Sequence, residues 1–329
     1  MSSPKSSIAT ATSAKLPAGQ PSPAEPPAGA YRGRFAPSPT GPLHFGSLLA
    51  AAASWLDARA AGGQWLLRIE DIDPPRELPG ATDAILRALD TFRLPWDGPV
   101  TFQSRRQEAF TAALAHLRQA GWAYACQCSR ADIAAANAGR GRPGDRRYPG
   151  TCRELGLETH RAPVLRVRTS ADELGVDDRL QGWFSQQLEA ETGDFVVRRR
   201  DGLIAYQLAV VVDDADAGIT DIVRGIDLLD STPRQLWLQQ LLGLPRPRYM
   251  HLPVIVTPAG EKLSKQTGAE ALDLRRAGEL AWLALDSLGL APPPELRGAP
   301  PAEQWDWAVG RWDPQHLSGH RSILVPAEL

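Results

Sequence analysis

Long apolar runs are missing from this 329-residue sequence. The best candidates, Leu48 to Leu56 and Leu208 to Val212, are short and end in Asp57 and Asp213, so no bilayer span and no membrane partner are expected. Cysteine is scarce. Three cysteines in the whole chain argue against a disulfide scaffold and for a reducing, cytoplasmic setting, and their odd number makes a metal site worth tracing. Net charge is nearly absent too: 36 Lys plus Arg against 38 Asp plus Glu leave −2. No global positive field would draw in a polyanion, so any nucleic-acid contact must come from local patches. Residues 1–30 lack the apolar stretch of a secretory signal and the Arg-rich amphipathic helix of a transit peptide. Their Ser, Ala and Pro content predicts a disordered tail.

What is present is a globular composition, 43% hydrophobic and 22% charged, with 29 Gly and 29 Pro that follow no collagen-like period. The length exceeds the usual single-domain range and predicts one large domain with insertions, or two domains. Tyr31 to Ala36 reads as a strand running into the breaker cluster Pro37 to Pro42. A helix from about His44 to Ala61 ends at Gly62-Gly63, and Gln64 to Ile69 reads as a second strand. This succession is a βαβ unit, the building block of a doubly wound parallel sheet. Ala81 to Phe92 and Arg105 to Ala120 have helical spacing. Cys126 to Cys152 breaks the pattern with a Gly/Arg/Pro-rich loop, as an insertion organised by something other than a core would. Phe195 to Val212 reads as two strands joined around Asp201-Gly202. Ile219 to Val223 is a further strand, a helix capped at Ser231-Thr232-Pro233 runs to Leu242, and the chain from Leu272 reads as helical.

Three elements carry chemistry. In Pro37 to Ser47 a strand ends in a tight turn and feeds a helix, presenting free backbone N–H groups and the positive end of the helix dipole to an anion such as phosphate. Gly46 allows close approach to that backbone, and His44 can donate to phosphate or ribose oxygens. In Glu261 to Gln266, two lysines three residues apart on a Gly/Pro-flanked loop can close over a polyphosphate during displacement. Cys126-x-Cys128, followed by Tyr148-x-x-x-Cys152, offers three thiolates and a phenol, and thiolates are preferred ligands of tetrahedral zinc. Each element alone is commonplace: a turn, a solvated basic pair, a set of buried thiols.

Together they resemble the class I aminoacyl-tRNA synthetases. His44-Phe-Gly-Ser47 is similar to that family's HIGH signature, and Lys262-Leu-Ser-Lys-Gln266 to its KMSKS loop. Arg34 to Gly41, Arg68 to Asp73, Ala209 to Asp214 and Ile222 to Asp227 resemble segments of the glutamyl branch, in collinear order. The resemblance implies an ATP site made by Pro37, His44, Gly46, Ser47, Lys262, Ser264 and Lys265, with His44, Lys262 and Lys265 as catalytic residues and Mg²⁺ accompanying ATP. It also places Arg34, Phe35, Ala36, Pro37, Ser38, Glu70, Tyr206 and Arg224 around an L-glutamate. The charges suit that ligand. Two arginines match two carboxylates and Glu70 matches one ammonium, whereas glutamine would leave Arg224 without an ionic partner. A structural zinc on Cys126, Cys128, Tyr148 and Cys152, with His160 or water as a substitute for Tyr148, is likewise implied.

The arginines of the insertion, Arg130, Arg140, Arg142, Arg146, Arg147 and Arg153, and the run Arg198 to Arg200, would supply the local field that the net charge does not. After Gln266 too little sequence remains for a large anticodon-reading domain, which makes the chain resemble a short, glutamyl-queuosine-forming subgroup of the branch. That resemblance implies tRNA-independent activation of glutamate, then its transfer to queuosine in the anticodon loop of tRNA(Asp). The expected organisation is a tail over residues 1–30, an α/β Rossmann-like catalytic domain over 31–266 with a metal-binding insertion at 121–160, and a small helical region over 267–329, the whole a monomer. Three other readings compete: a truncated synthetase charging a tRNA 3′ end, a small-molecule carboxylate adenylyltransferase, and a non-catalytic tRNA-binding paralogue.

Overall fold

A computed structural model describes residues 31–142, 144–158, 164–263 and 270–329. Residues 1–30, His160, Ser264 and Lys265 lie outside the described residues, and with them the expected tail, the substitute metal ligand and part of the lysine loop. The chain begins with β1 (Arg32–Phe35), α1 (Phe45–Ala60) and β2 (Gln64–Ile69), the predicted βαβ unit, and β1 and β2 pair in parallel with Phe35 opposite Leu67. The turn between α1 and β2 needs glycine, since a Cβ on Gly63 would lie 2.4 Å from the Tyr31 carbonyl oxygen. Next come α2 (Ala81–Thr91), β3 (Thr101–Phe102) and α3 (Gln107–Gln119). The two-residue β3, parallel to β2, is too short to leave a pattern in the sequence.

The insertion opens with β4 (Ala123–Cys126) and α4 (Arg130–Gly139), the helix started by a Ser129/Asp132 capping box. It is followed by β5 (Val164–Val167), β6 (Glu173–Asp178), β7 (Gly182–Gln187), the single-turn α5 (Leu188–Glu191) and β8 (Phe195–Arg198). Strands β4, β5 and β8 form an antiparallel sheet, so strand pairing as well as the cysteine cluster organises this region. The expected hairpin at Asp201-Gly202 is half right. Its first strand is β8, but the second is α6 (Tyr206–Asp216), a helix. Its β-branched run suggested a strand, yet Leu208 to Asp214 are all buried. The helix cost of valine is a few tenths of a kcal/mol, and burial outweighs it.

The chain continues through β9 (Asp221–Gly225), α7 (Thr232–Leu242), β10 (Arg248–Leu252), β11 (Val254–Val256), α8 (Ala277–Ser287), α9 (Pro301–Val309) and β12 (Ser322–Leu324). Strands β6, β10 and β9 are parallel, with β7 antiparallel at the edge. The two halves meet between β1 and β9, where Arg32 N–H donates to Thr220 Oγ1 at 2.8 Å and Thr220 N–H to the Arg32 carbonyl at 2.9 Å. Strand order therefore reads β3-β2-β1 on one side and β9-β10-β6-β7 on the other. Crevices at such reversals, outside the carboxyl ends of the strands, are where doubly wound folds bind ligands.

One apolar core joins β1, α1 and β2 to α8 and α9 through residues such as Leu56, Trp65, Leu280 and Trp305. A second joins α3, β5, β8, α6 and α7 through Phe110, Leu165, Val211 and Trp237. The last strand, β12, pairs in parallel with β11, a feature the helical reading of this region missed. No helix among the described residues is long and apolar enough to cross a membrane.

Candidate active site

The expected glutamate residues gather at the β1/β9 reversal. Arg34 lies near the carboxyl end of β1 and is 4% exposed; its Nε donates to Asp214 Oδ1 at 3.1 Å. Arg68, at the end of β2, bridges Asp214 (2.7 Å) and Glu70 (3.3 Å). Asp214 thus receives two guanidinium groups, which hold its carboxyl below the usual range although burial alone would raise it. Asp213, the preceding residue of α6, takes Gln103 Nε2 at 2.8 Å and Arg106 Nε at 3.0 Å. Glu70 is buried and its carboxyl is pushed up by burial, an effect that Arg68 and Arg34 oppose. The Tyr206 hydroxyl, pushed up by burial, lies in the fields of Arg224, Glu70, Arg34 and Asp214. Arg34, Glu70, Tyr206 and Arg224 therefore share one site.

Arg224 differs from its companions. It is 5% exposed and its contacts are neutral: Nε donates to His251 Nε2 at 3.0 Å and Nη2 to Thr232 Oγ1 at 2.8 Å. Its Nη1 is buried and has no hydrogen-bond partner. Among the described residues no carboxylate pairs with it. A buried guanidinium so placed is costly until an anion reaches it. Arg34 and Arg68 are paired with Asp214 and Glu70, so Arg224 is the guanidinium left for a carboxylate of the ligand. Sequence reasoning missed Arg68, Asp214 and His251 as members of the site. Arg68 and Asp214 stand in the quoted collinear segments, which was the available signal; His251 left none.

Beside this pocket is the turn before α1. His44 is the N-cap, and its Nδ1 accepts from the Ser47 N–H at 3.3 Å. A neutral imidazole that accepts at Nδ1 carries its proton on Nε2. The first turn of α1 has no acidic residue, leaving its dipole to an external anion. Gly46 has a local reason as well, since a Cβ there would lie 3.1 Å from His44 Cε1. Pro37 ties the turn to the pocket by accepting from the Glu70 N–H at 3.0 Å. Phe35 is buried in the core, and Ala36 and Ser38 continue the turn.

Lys262 follows a tight turn after β11, and its Nζ lies 2.7 Å from Asp227 Oδ2, three residues beyond Arg224. The described half of the lysine pair is therefore anchored at the pocket end of β9. Away from this site, the sulfur atoms of Cys126, Cys128 and Cys152 lie within 4.8 Å of one another. Cys128 and Cys152 are 3.4 Å apart, and Cys126 Sγ is 3.4 Å from the Tyr148 hydroxyl. Burial, then the neighbouring thiols Cys152 and Cys126, push the Cys128 thiol up to about 12, and a divalent cation held among them would reverse that push. Several arginines of the insertion work as internal staples: Arg153 pairs with Asp194 (2.7 Å) and Glu189 (3.0 Å), and Arg140 and Arg147 donate to the carbonyls of Pro149 and Ala190.

Residues 30–284 match the family described as tRNA synthetases class I (E and Q), catalytic domain. A glutamyl-Q tRNA(Asp) synthetase of Ectopseudomonas mendocina (strain ymp) is 54% identical over 89% of the chain and 97% of that protein, and one of Dechloromonas aromatica (strain RCB) is 55% identical over 90% and 99%. The chain belongs to the glutamyl-Q tRNA(Asp) synthetase family. Among solved structures it is similar to a glutamate tRNA ligase from Elizabethkingia meningosepticum in complex with its amino acid, with a TM-score of 0.75 and 25% identity over 91% of this chain and 67% of that one. As a glutamyl-Q tRNA(Asp) synthetase relative, the chain has a Rossmann-like class I catalytic fold followed by helices, and the charged pocket lies where that fold binds ligands.

Proposed function

We propose that this protein activates L-glutamate with ATP, without tRNA, and then transfers the glutamyl group to queuosine in the anticodon loop of tRNA(Asp). The observation that carries the first half is Arg224, a buried cation with an unpartnered N–H and, among the described residues, no carboxylate paired with it. Two carboxylates of the ligand would engage Arg224 and the N–H groups Arg34 keeps beyond Asp214. The ammonium would engage Glu70, and Tyr206 would add a hydrogen bond. ATP, taken as its Mg²⁺ complex, would lay its phosphates against the first turn of α1 beside His44, Gly46 and Ser47. The α-carboxylate oxygen attacks the α-phosphorus; the bond to the β-phosphate oxygen breaks and pyrophosphate leaves. Lys262, Ser264 and Lys265 are assigned to the charge that builds on the departing group. An acceptor hydroxyl then attacks the acyl carbonyl and AMP departs.

The acceptor follows from kinship rather than from the pocket. Relatives matched over nearly their whole length carry the glutamyl-Q tRNA(Asp) synthetase name, and a reducing, cytoplasmic setting suits an enzyme with free cysteines. The test is glutamate-dependent ATP–pyrophosphate exchange without tRNA, followed by acylation of tRNA(Asp).

The cysteine cluster is assigned to a structural zinc held by Cys126, Cys128, Tyr148 and Cys152. Zn–S bonds of about 2.3 Å set the edge of a tetrahedron at roughly 3.8 Å, which the 3.4 Å Cys128–Cys152 spacing approaches. Such a metal would brace the insertion against β4 and take no part in adenylation. Purified protein is expected to hold about one zinc per chain and Cys152→Ser to lose most of it, as read by elemental analysis. Wild-type protein without bound metal would refute the assignment.

A further inference from the structure

The contact that steadies Arg224 has a direction that the rest of the pocket lacks. Arg34 and Arg68 are each held by carboxylates, but Arg224 is held by an imidazole. Register explains it: in the parallel β10/β9 pair His251 lies directly opposite Arg224, and β6, carrying Asp178, flanks β10 on the other side. Three neighbouring strands thus line up Asp178, His251 and Arg224. His251 is fully buried, its Nδ1 is 2.6 Å from Asp178 Oδ2, and its Nε2 is 3.0 Å from Arg224 Nε.

An arginine Nε–H is a donor only. His251 Nε2 must therefore accept, the ring proton must sit on Nδ1, and Nδ1–H must donate to Asp178. The other oxygen of Asp178 is already committed. Oδ1 accepts from the backbone N–H groups of Leu180 (3.1 Å), Gln181 (3.0 Å) and His251 (3.2 Å). Burial and the nearby Arg224 charge both disfavour the imidazolium. Thr232 closes the frame, accepting from Arg224 Nη2 and lying 3.3 Å from His251 Nε2.

We propose that His251 is a positioning residue for amino-acid recognition: a neutral base, set in its Nδ1–H tautomer by Asp178, that orients Arg224 without neutralising it. The inference deepens the reading of this pocket as a glutamate site and rests on it. A carboxylate in place of His251 would hold the guanidinium equally well but would cancel the charge that the ligand carboxylate must meet. An imidazole fixes the plane and leaves the charge for the ligand. Asp178 matters because its hydrogen bond selects which ring nitrogen accepts.

Asp178→Asn is the sharpest probe. The three backbone donors keep the amide oxygen, so the amide NH₂ faces His251 Nδ1, the ring shifts to its Nε2–H tautomer, and two donors oppose each other at Arg224. Glutamate KM in pyrophosphate exchange is expected to rise roughly 10- to 100-fold, the effect of one opposed buried hydrogen bond, while the KM for ATP stays within about twofold. His251→Gln, which retains an acceptor, should recover most of the loss seen in His251→Leu. Long-range ¹H–¹⁵N correlation spectra should show His251 as Nδ1–H in the wild type and Nε2–H in Asp178→Asn. A wild-type His251 in the Nε2–H form, or folded Asp178→Asn and His251→Leu proteins with unchanged glutamate KM, would overturn the proposal. The spectrum needs no substrate, so it decides the tautomer even where a variant fails to fold. Absence of glutamate exchange in the wild type would instead defeat the functional reading.

Discussion

Replacing Arg224 by glutamine is expected to lower kcat/KM for glutamate in pyrophosphate exchange by about 30- to 5000-fold, the range set by the roughly 2–5 kcal/mol lost when one member of a buried, hydrogen-bonded charge pair is removed. The size follows from burial. Arg224 is almost wholly screened from water and has an unpartnered Nη1, so a ligand carboxylate meets it in a medium where Coulomb attraction is much stronger than in solvent. Glutamine at that position still reaches toward Thr232 and His251 but offers no charge. The pocket then loses the cation that no carboxylate of the described residues pairs with, and the preference for glutamate over glutamine should shrink with it. Saturation kinetics with both amino acids check this. A variant that keeps glutamate activation within about threefold of wild type would move the amino-acid site elsewhere.

Asp57→Asn is expected to lower stability by about 3 kcal/mol, the scale of breaking a buried ion pair while leaving donors unmet. Asp57 is buried near the end of α1, where its carboxylate takes Arg179 through two bonds (2.5 and 2.9 Å), the Tyr31 hydroxyl (2.7 Å) and Trp312 Nε1 (2.9 Å). Those partners come from the start of β1, from the β6–β7 turn and from the chain after α9, so one carboxylate ties three distant segments to the helix whose other end carries His44. An asparagine amide would face donors on every side. Because Arg179 is partly exposed, the estimate sits at the lower end of the buried-pair range, and a Tm fall of roughly 5 °C follows. Burial would raise the Asp57 pKa, yet Arg179, Trp312 and Tyr31 hold it below its ordinary value. A depressed folded-state pKa stabilises above the unfolded pKa of about 4 and loses that contribution as pH falls through the folded value. Thermal melts of the wild type should therefore lose stability more steeply than those of Asp57→Asn below about pH 4. Equal melting curves at neutral pH would contradict this account of α1.

Much of the site is legible in the sequence because its residues sit where local patterns are strongest. The β1-turn-α1-β2 unit was read to within a residue or two, since a strand, a Pro/Gly cluster and an Ala-rich helix ending in Gly62-Gly63 each leave local signals. Arg34, Glu70 and Arg224 are named by the resemblance, and their charges fit the proposed ligand. What the sequence hid was non-local. The sequence of helix α6 reads as a strand because period and β-propensity describe a half-buried surface, and its run of buried positions gives no such alternation. Asp214, on the same helix, accordingly gained its two arginines only when β1, β2 and α6 met in three dimensions. The link from Asp178 through His251 to Arg224 depends on strand order β6-β10-β9, which no local pattern reports. The last strand, β12, exists only because β11 is there to pair with it.

The central claim is that this pocket makes glutamyl adenylate for a queuosine acceptor, and one measurement tests it most directly. Purified enzyme, ATP and labelled glutamate are combined with tRNA(Asp) containing queuosine, with unmodified tRNA(Asp), and with tRNA(Glu), and stable label on RNA is counted. Label on the queuosine-containing tRNA(Asp) alone, surviving removal of the 3′-terminal nucleoside, is the expected result. Label that appears on tRNA(Glu) and is lost with its 3′ end would contradict it.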